Sequence, residues 1–159
     1  MGNYAKEQVR EQVIAYLDHH GIRYMERPEV RSIKIVFAGK DKMGDTYLDF
    51  FFLEDCVMVM GHYQTKIPPE SRRTVMEYLN AVNKKAVDGY FFIDMQDGMV
   101  LYQNKVKLLD REYVAEETGA YLFVTAFTTC TRYEKGCEQV MDGMLTPEEA
   151  FEMAEAQKL

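Results

Sequence analysis

The chain has 159 residues, of which 47% are hydrophobic and 28% are charged, a balance that excludes global disorder and predicts a single domain over residues 1–159. No apolar run approaches the roughly 18 residues that a membrane-spanning helix needs. The first residues are polar and charged, so we expect no secretory signal, no membrane association and a cytoplasmic location.

The formal net charge is −7, and most of it lies in the second half of the chain. Residues 1–80 carry 11 basic and 12 acidic side chains, whereas residues 81–159 carry 8 and 14. An acidic surface repels phosphate backbones and argues against nucleic-acid binding as the main task. It could favour a basic partner, or it could serve solubility alone.

The three cysteines, Cys56, Cys130 and Cys137, are odd in number and lack CxxC spacing. We therefore expect reduced and mostly buried thiols, as in a cytosolic protein. On one helix, Cys130 and Cys137 would lie roughly 10 Å apart, which is too far for a disulfide to close.

Residues 4–20 have the periodicity of an amphipathic helix that stops at Gly21. The apolar side chains that share its stripe are Val9, Val13, Tyr16 and Leu17. His19 and His20 fall in its last turn. Adjacent side chains diverge on a helix, so we interpret these histidines as favourable C-terminal residues rather than as a metal pair.

Residues 22–60 predict three antiparallel strands joined by short connections. The first starts extended over residues 22–26 and resumes, after a proline, over residues 31–38. The second covers residues 46–53 and the third residues 56–60. Residues 50–53 are apolar on both faces, which predicts a central strand that is covered on both sides. His62 is expected at a turn after the third strand.

A second helix and a β-hairpin follow. The helix opens at Pro68-Pro69, and its apolar stripe consists of Val75, Tyr78, Leu79 and Val82. The dipeptide Asp97-Gly98 lies between two apolar runs and predicts a two-residue turn, because glycine adopts positive φ cheaply. Residues 89–107 are therefore expected to fold back and join the earlier strands in one sheet of about five strands, with helices packed on it.

Residues 110–143 give two conflicting signals. The β-branched and aromatic residues at 121–129 favour a strand. Apolar side chains from Ala126 to Val140 recur every three or four residues, and the length of this repeat favours a long helix. Thr146-Pro147 and Glu149 then form a capping box, which predicts an added C-terminal helix within residues 145–159.

This order of elements and several local strings resemble the YbjN family, whose fold is similar to that of the type III secretion chaperones. The matching strings are Tyr16-Leu17 through Tyr24, Leu79-Asn80-Ala81-Val82-Asn83, Gly89 through Asp94, and Asp97 through Tyr102. The resemblance implies an α+β fold with an antiparallel sheet in the order α-βββ-α-ββ-α(-α). It also implies a homodimer formed through the middle helix and the adjoining strand. Family members are described as candidate regulators of sensory transduction, a label that specifies no chemistry.

The sequence contains no recognisable catalytic, nucleotide or metal motif, and we predict neither a cofactor nor a metal. Asp94 and Asp97 resemble part of a calcium loop, but the residues that follow are apolar. The leading hypothesis is a non-catalytic binding or regulatory module for a protein partner of unknown identity. The alternative is a small-molecule-binding or weakly catalytic domain with a pocket near His62 and Cys130.

The predicted partner or dimer surface combines the second helix with the hairpin. Its residues are Val75, Tyr78, Leu79, Asn80, Val82, Asn83, Tyr90 and Phe92. Asn83 is expected to cap the end of the helix and Asn80 to satisfy a neighbouring turn, although either could bond to a partner's backbone.

Overall fold

The computed structural model describes residues 2–108 and 114–157, which form four α-helices and six β-strands. The helices are α1 (Gly2–His19), α2 (Arg72–Lys85), α3 (Thr118–Met141) and α4 (Pro147–Ala156). The strands are β1 (Met25–Arg27), β2 (Ser32–Phe37), β3 (Thr46–Phe52), β4 (Cys56–Tyr63), β5 (Tyr90–Ile93) and β6 (Val100–Lys107). They pair antiparallel in the order β1-β2-β3-β4-β6-β5. The predicted α+β class is confirmed, with one strand more than expected.

The helices are arranged in two layers over one face of the sheet. α1 and α3 pack on the central strands, α2 lies beside β5, and α4 packs on α2 and α3. The predicted apolar stripe of α2 is buried in this interior, as are Val9, Val13 and Leu17 of α1. Each such side chain contributes roughly 1.5–3 kcal/mol on burial. Among the described residues, no helix is both long and apolar enough to cross a membrane.

Strand β3 shows that the sheet is covered on one face only. Leu48, Phe50 and Phe52 are buried beneath the helices, whereas Tyr47 and Phe51 point to the other face and are half-buried. The prediction that this strand is covered on both sides is therefore wrong. Aromatic side chains on both faces of a strand do not require a second helical layer, because half-burial among neighbouring side chains of the same sheet already shields them.

Strand β4 extends three residues beyond its predicted end. Thr46 pairs with Tyr63, so His62 lies within the strand and not at a turn, as was wrongly predicted. Tyr63 is buried, and its hydroxyl donates a hydrogen bond of 2.6 Å to the backbone oxygen of Cys130 on α3. This hydrogen bond fixes the spacing between the sheet and α3.

The hairpin joins the sheet as predicted, through pairing of β6 with β4. Its predicted two-residue turn is wrong. The connection is a longer loop, closed by a hydrogen bond of 2.9 Å from Asp94 N to Met99 O and one of 2.7 Å from Gly98 N to Asp94 O. Gly98 has a φ of +84°, so the glycine still supplies the left-handed residue that the loop needs.

Helix α3 spans residues 121–129, so the helical interpretation of this segment is confirmed and the strand propensity is overridden by packing. The described residues 114–117 precede the helix, and the earlier part of the predicted start lies outside the described residues. α3 approaches α2 closely at Gly136, where an added Cβ would lie 2.1 Å from the Oη of Tyr78. That hydroxyl donates a 3.0 Å hydrogen bond to the backbone oxygen of Tyr133.

Helices α2 and α4 begin as their prolines indicate. α2 follows a 3-10 turn, Pro69–Ser71. α4 has the predicted capping box, in which Glu149 N donates to Thr146 Oγ1 at 3.2 Å and Thr146 N donates to the carboxylate of Glu149 at 3.5 Å.

Candidate functional site

The uncovered face of the sheet, called here the open face, is a broad apolar and aromatic surface. Its apolar side chains, assigned from strand register, are Met25, Val36, Tyr47, Phe51, Met58, Met60, Tyr90, Phe92 and Leu101. Val36 is 48% exposed, Tyr90 46% and Phe92 37%. Exposed apolar side chains grouped on one face of a soluble domain mark interaction sites.

A stacked pair lies on the two central strands of the open face, close to one end of them. Tyr47 and His62 are register partners on β3 and β4, and their rings are parallel within 7° with centroids 4.8 Å apart. The ammonium of Lys34 lies 5.1 Å from the centroid of the Tyr47 ring, in cation–π geometry. The ammonium and the two rings form a stack that runs across β2, β3 and β4.

Burial lowers the pKa of His62, the neighbouring Lys34 ammonium lowers it further, and Asp49 opposes both effects. The imidazole is therefore neutral at pH 7 and stacks as an uncharged ring. Asp49 pairs in register with Lys34 on one side and Met60 on the other. Its Oδ1 is buried without a hydrogen-bond partner in the described part of the chain.

The charge of the open face is opposite in sign to that of the whole chain. Among the strand residues that the structure describes, register places four basic side chains there, Arg27, Lys34, Lys105 and Lys107, and one acidic side chain, Asp49. Of the basic residues, Arg27 is paired with Glu29 at 3.6 Å. A cationic face on an acidic protein favours acidic partners at this surface.

The predicted pocket near His62 and Cys130 is not formed, and this correction follows from strand alternation. Gly61 faces the helices, since a Cβ added to it would lie 3.0 Å from the Sγ of Cys130. His62, the next residue along the strand, therefore points to the open face. The sheet separates the two side chains. Burial also raises the pKa of the Cys130 thiol well above its ordinary value, which suits a core residue and not a nucleophile.

The predicted partner surface is divided by the structure. Val75, Tyr78, Leu79 and Val82 lie in the protein interior, so they are not available as surface in the folded chain. Asn80, Tyr90 and Phe92 are exposed. A groove of about 170 Å³ between α2 and β5 is lined by Met76, Leu79, Asn80, Asn83, Phe91, Phe92 and Ile93, and we call it the α2–β5 groove.

Asn83 does not cap its helix, contrary to prediction. Its side-chain amide donates to the backbone oxygen of Phe91 at 2.8 Å, and its Oδ1 accepts from the backbone N–H of Phe91 at 2.8 Å. The helix end is instead closed by Ala86 N, which donates to Val82 O at 3.1 Å. Because β5 is an edge strand, Asn83 occupies both backbone groups that residue 91 would offer to a further strand.

The remaining polar residues that sequence analysis singled out have local roles. His19 and His20 are exposed at the end of α1, and the Nδ1 of His20 lies 2.8 Å from Tyr16 O. Asp94 and Asp97 accept hydrogen bonds from the backbone of Gln96 and Met99 within their own loop. No group of three or more metal-ligating side chains was found in residues 2–108 and 114–157.

Met58, Met60 and Leu101 belong to the open face but were not predicted there, and the predicted place of His62 was wrong. The signal was present in β4, where large side chains alternate with the buried valines. Recognising it required knowing that the helices cover the valine side.

The fold and the site together define an α+β domain that keeps one sheet face free for contact. A sequence model of the YbjN family, described as "Putative bacterial sensory transduction regulator", matches residues 10–139. The match covers more than half of the chain, and the chain belongs to the YbjN family.

One solved structure similar to this chain is the crystal structure of YbjN, a putative transcription regulator from E. coli. The TM-score is 0.54 at 13% sequence identity, and the alignment covers 83% of this chain and 88% of that chain. At this identity the likeness concerns the fold alone. Comparison with curated proteins finds no match.

Proposed function

We propose that the chain is a non-catalytic binding module of a bacterial regulatory system and that its open face holds an acidic, apolar segment of a partner protein. The observation that supports the proposal is the uncovered face of the sheet with its apolar side chains, on which Tyr47 and His62 are stacked. Six strands about 4.8 Å apart give a face about 24 Å wide, comparable with an amphipathic helix of about 16 residues. The regulatory description of the family supports a binding role.

The chemistry of the partner follows from the charges on the open face. Lys34, Lys105 and Lys107 outnumber Asp49 on the open face. A second copy of this chain would bring another net-positive face against this one, and repulsion between like charges disfavours that pairing. An acidic segment with alternating or helically spaced apolar residues complements both the positive charge and the apolar side chains of the open face.

Two labelled peptides test this proposal, one composed of leucine, phenylalanine and glutamate, the other with lysine in place of glutamate. We expect the acidic peptide to bind with salt-sensitive affinity and the basic peptide to bind at least about tenfold more weakly. The variant Lys105→Glu should lose binding of the acidic peptide, whereas Lys84→Glu, an exposed lysine on α2, should retain it. Equal binding of the two peptides, or equal effects of the two variants, would refute the proposal.

We further propose that the chain forms a homodimer in which a second copy covers the α2–β5 groove. Met76 is 42% exposed and lines this groove with Phe92, so apolar surface is available there. The resemblance to chaperones that pair through the middle helix and the adjoining strand supports the same region. Because Asn83 occupies the backbone of Phe91, the second copy would pack through side chains and would not extend the sheet at that residue.

Light scattering at micromolar concentration tests the dimer, since one chain has a mass of 18.6 kDa. We expect twice that mass for the wild type and for the control Met153→Asp, which changes an exposed methionine on α4. Met76→Asp is expected to yield the single-chain mass. A monomeric wild type overturns this proposal without affecting the peptide experiment. The expected cytoplasmic location stays a prediction, which fractionation of the native cell would test.

A further inference from the structure

A cavity of about 460 Å³ lies between the first turns of α1 and the β1–β2 hairpin, and we call it the Lys6 cavity. We propose that it binds a small organic anion with a phosphate or carboxylate group. Its volume is within the range of small-molecule sites. Its lining residues Ile33 and Phe52 belong to the helix-covered side of the sheet, so this site is distinct from the open face and does not rest on the function proposed above.

Lys6 supplies the first line of evidence. It lines the cavity, its residue is only 8% exposed, and no described carboxylate forms a salt bridge with it. Holding a lysine at a mostly buried position without a counter-charge is unfavourable. An anion in the cavity would remove that cost and would gain a charge-assisted hydrogen bond.

The β1–β2 connection supplies the second line of evidence. Arg31 lines the cavity and adopts a left-handed conformation, with φ at 52° and ψ at 47°. An arginine at a position where glycine is less strained places a cation at the cavity at a cost to the fold.

The charges of the lining leave a positive surplus. Arg10 and Glu26 both line the cavity and neutralise each other in a salt bridge. Of the other charged lining residues, Lys6 and Arg31 are basic, and the exposed Glu7 is acidic. The apolar side chains of Ile33 and Phe52 complete the lining, so the ligand that fits is an anionic group attached to an apolar body.

Phenyl phosphate, benzoate and benzyl alcohol are suitable probes because they share an aromatic ring and differ in charge. In phosphate-free buffer, we expect the backbone amide signals of Ser32 and Ile33 to shift saturably with phenyl phosphate or with benzoate. The relative affinities of those two anions decide between a phosphate and a carboxylate ligand. Benzyl alcohol should shift these signals at least about tenfold less at the same concentration.

Two variants distinguish a specific binding site from an unspecific effect of charge. Lys6→Met should weaken binding of the better anion at least about tenfold, whereas Lys40→Met, an exposed loop lysine, should leave it unchanged. Arg31→Gly should weaken binding severalfold while raising the melting temperature, because glycine relieves the left-handed backbone. Absence of saturable shifts with both anions, equal binding of benzyl alcohol, or undiminished binding by Lys6→Met would overturn the proposal.

Discussion

The side chain of Asn83 on α2 exchanges two hydrogen bonds, each 2.8 Å long, with the backbone N–H and C=O of Phe91 on β5. A side-chain amide presents the same donor and acceptor as a peptide group, so the helix takes the place of a further strand at the sheet edge. This contact joins α2 to the hairpin without using the apolar core.

Replacing Asn83 with alanine should lower the free energy of unfolding by about 1–3 kcal/mol, because it removes both partners of a half-buried backbone unit. Urea denaturation measures this loss, and hydrogen exchange at the Phe91 amide should become faster. The matched control is Asn80→Ala, since Asn80 is exposed on the same helix. Equal losses in the two variants would show that the contact is unimportant.

Replacing Gly136 with alanine should destabilise the protein, although alanine favours helix formation by about 1 kcal/mol over glycine. The added methyl group would lie 2.1 Å from the Oη and 2.4 Å from the Cζ of the buried Tyr78, so α2 and α3 must separate. We expect a net loss of about 1–3 kcal/mol in thermal or urea unfolding. Thr131→Ala, at an exposed position of α3, should change stability by less than about 0.5 kcal/mol. A stabilised Gly136→Ala protein would contradict the described packing.

Replacing Thr146 with alanine should cost about 1 kcal/mol, the usual loss when a helix N-cap is removed. The variant loses the hydrogen bond from Glu149 N to Thr146 Oγ1, which is 3.2 Å long. Thr146→Ser keeps the hydroxyl and should retain most of the stability. Because α4 packs on both α2 and α3, the loss should appear in the global unfolding transition and not as separate melting of the C-terminal helix.

Stability should also depend on the protonation of Glu134. Burial, and next the neighbouring Asp41 carboxyl, raise the pKa of Glu134 from 4.5 to about 7. The fold therefore favours the protonated form of Glu134. The stability that comes from this preference is fully present below pH 4.5 and is lost as the pH rises through about 7. Glu134→Gln should remove that part of the pH dependence.

At pH 8 the Glu134→Gln variant should be more stable than the wild type by about 1 kcal/mol, a value kept small because water screens a half-buried group. This corresponds to a melting temperature higher by about 2–4 °C. At pH 4.5 the two proteins should melt more nearly together. The exposed carboxyl of Glu152 on α4 provides the control variant Glu152→Gln, and an identical pH profile for all three proteins would refute the assignment.

The parts of the fold that were predicted correctly are those set by local periodicity. The stripe of α2 and the helical repeat of α3 each depend on spacing within one element. The turn at Asp97-Gly98 failed because distant residues shape it. Gly98 O accepts from Ile67 N at 2.8 Å, and Arg72 donates to Met95 O at 3.1 Å. Such contacts cannot be derived from a dipeptide.

The candidate site was harder to predict than the fold, for the same reason. Alternation along β4 divides its side chains into two sets, but only the placement of the helices decides which set is buried. His62 was misplaced because the strand end was judged from composition. The partners of Asn83 were missed because an amide side chain gives no indication in the sequence of which backbone it will meet.

The strand order determines which strands can pair while the chain is still being synthesised. β1 to β4 are neighbours in sequence and in space, so this part of the sheet can close as soon as Tyr63 has left the ribosome. β5 is made before β6 but touches the sheet only through it, so α2 and β5 must wait until synthesis has passed Lys107. Until then the exposed edge of β4 is the segment that most needs protection from association with other nascent chains.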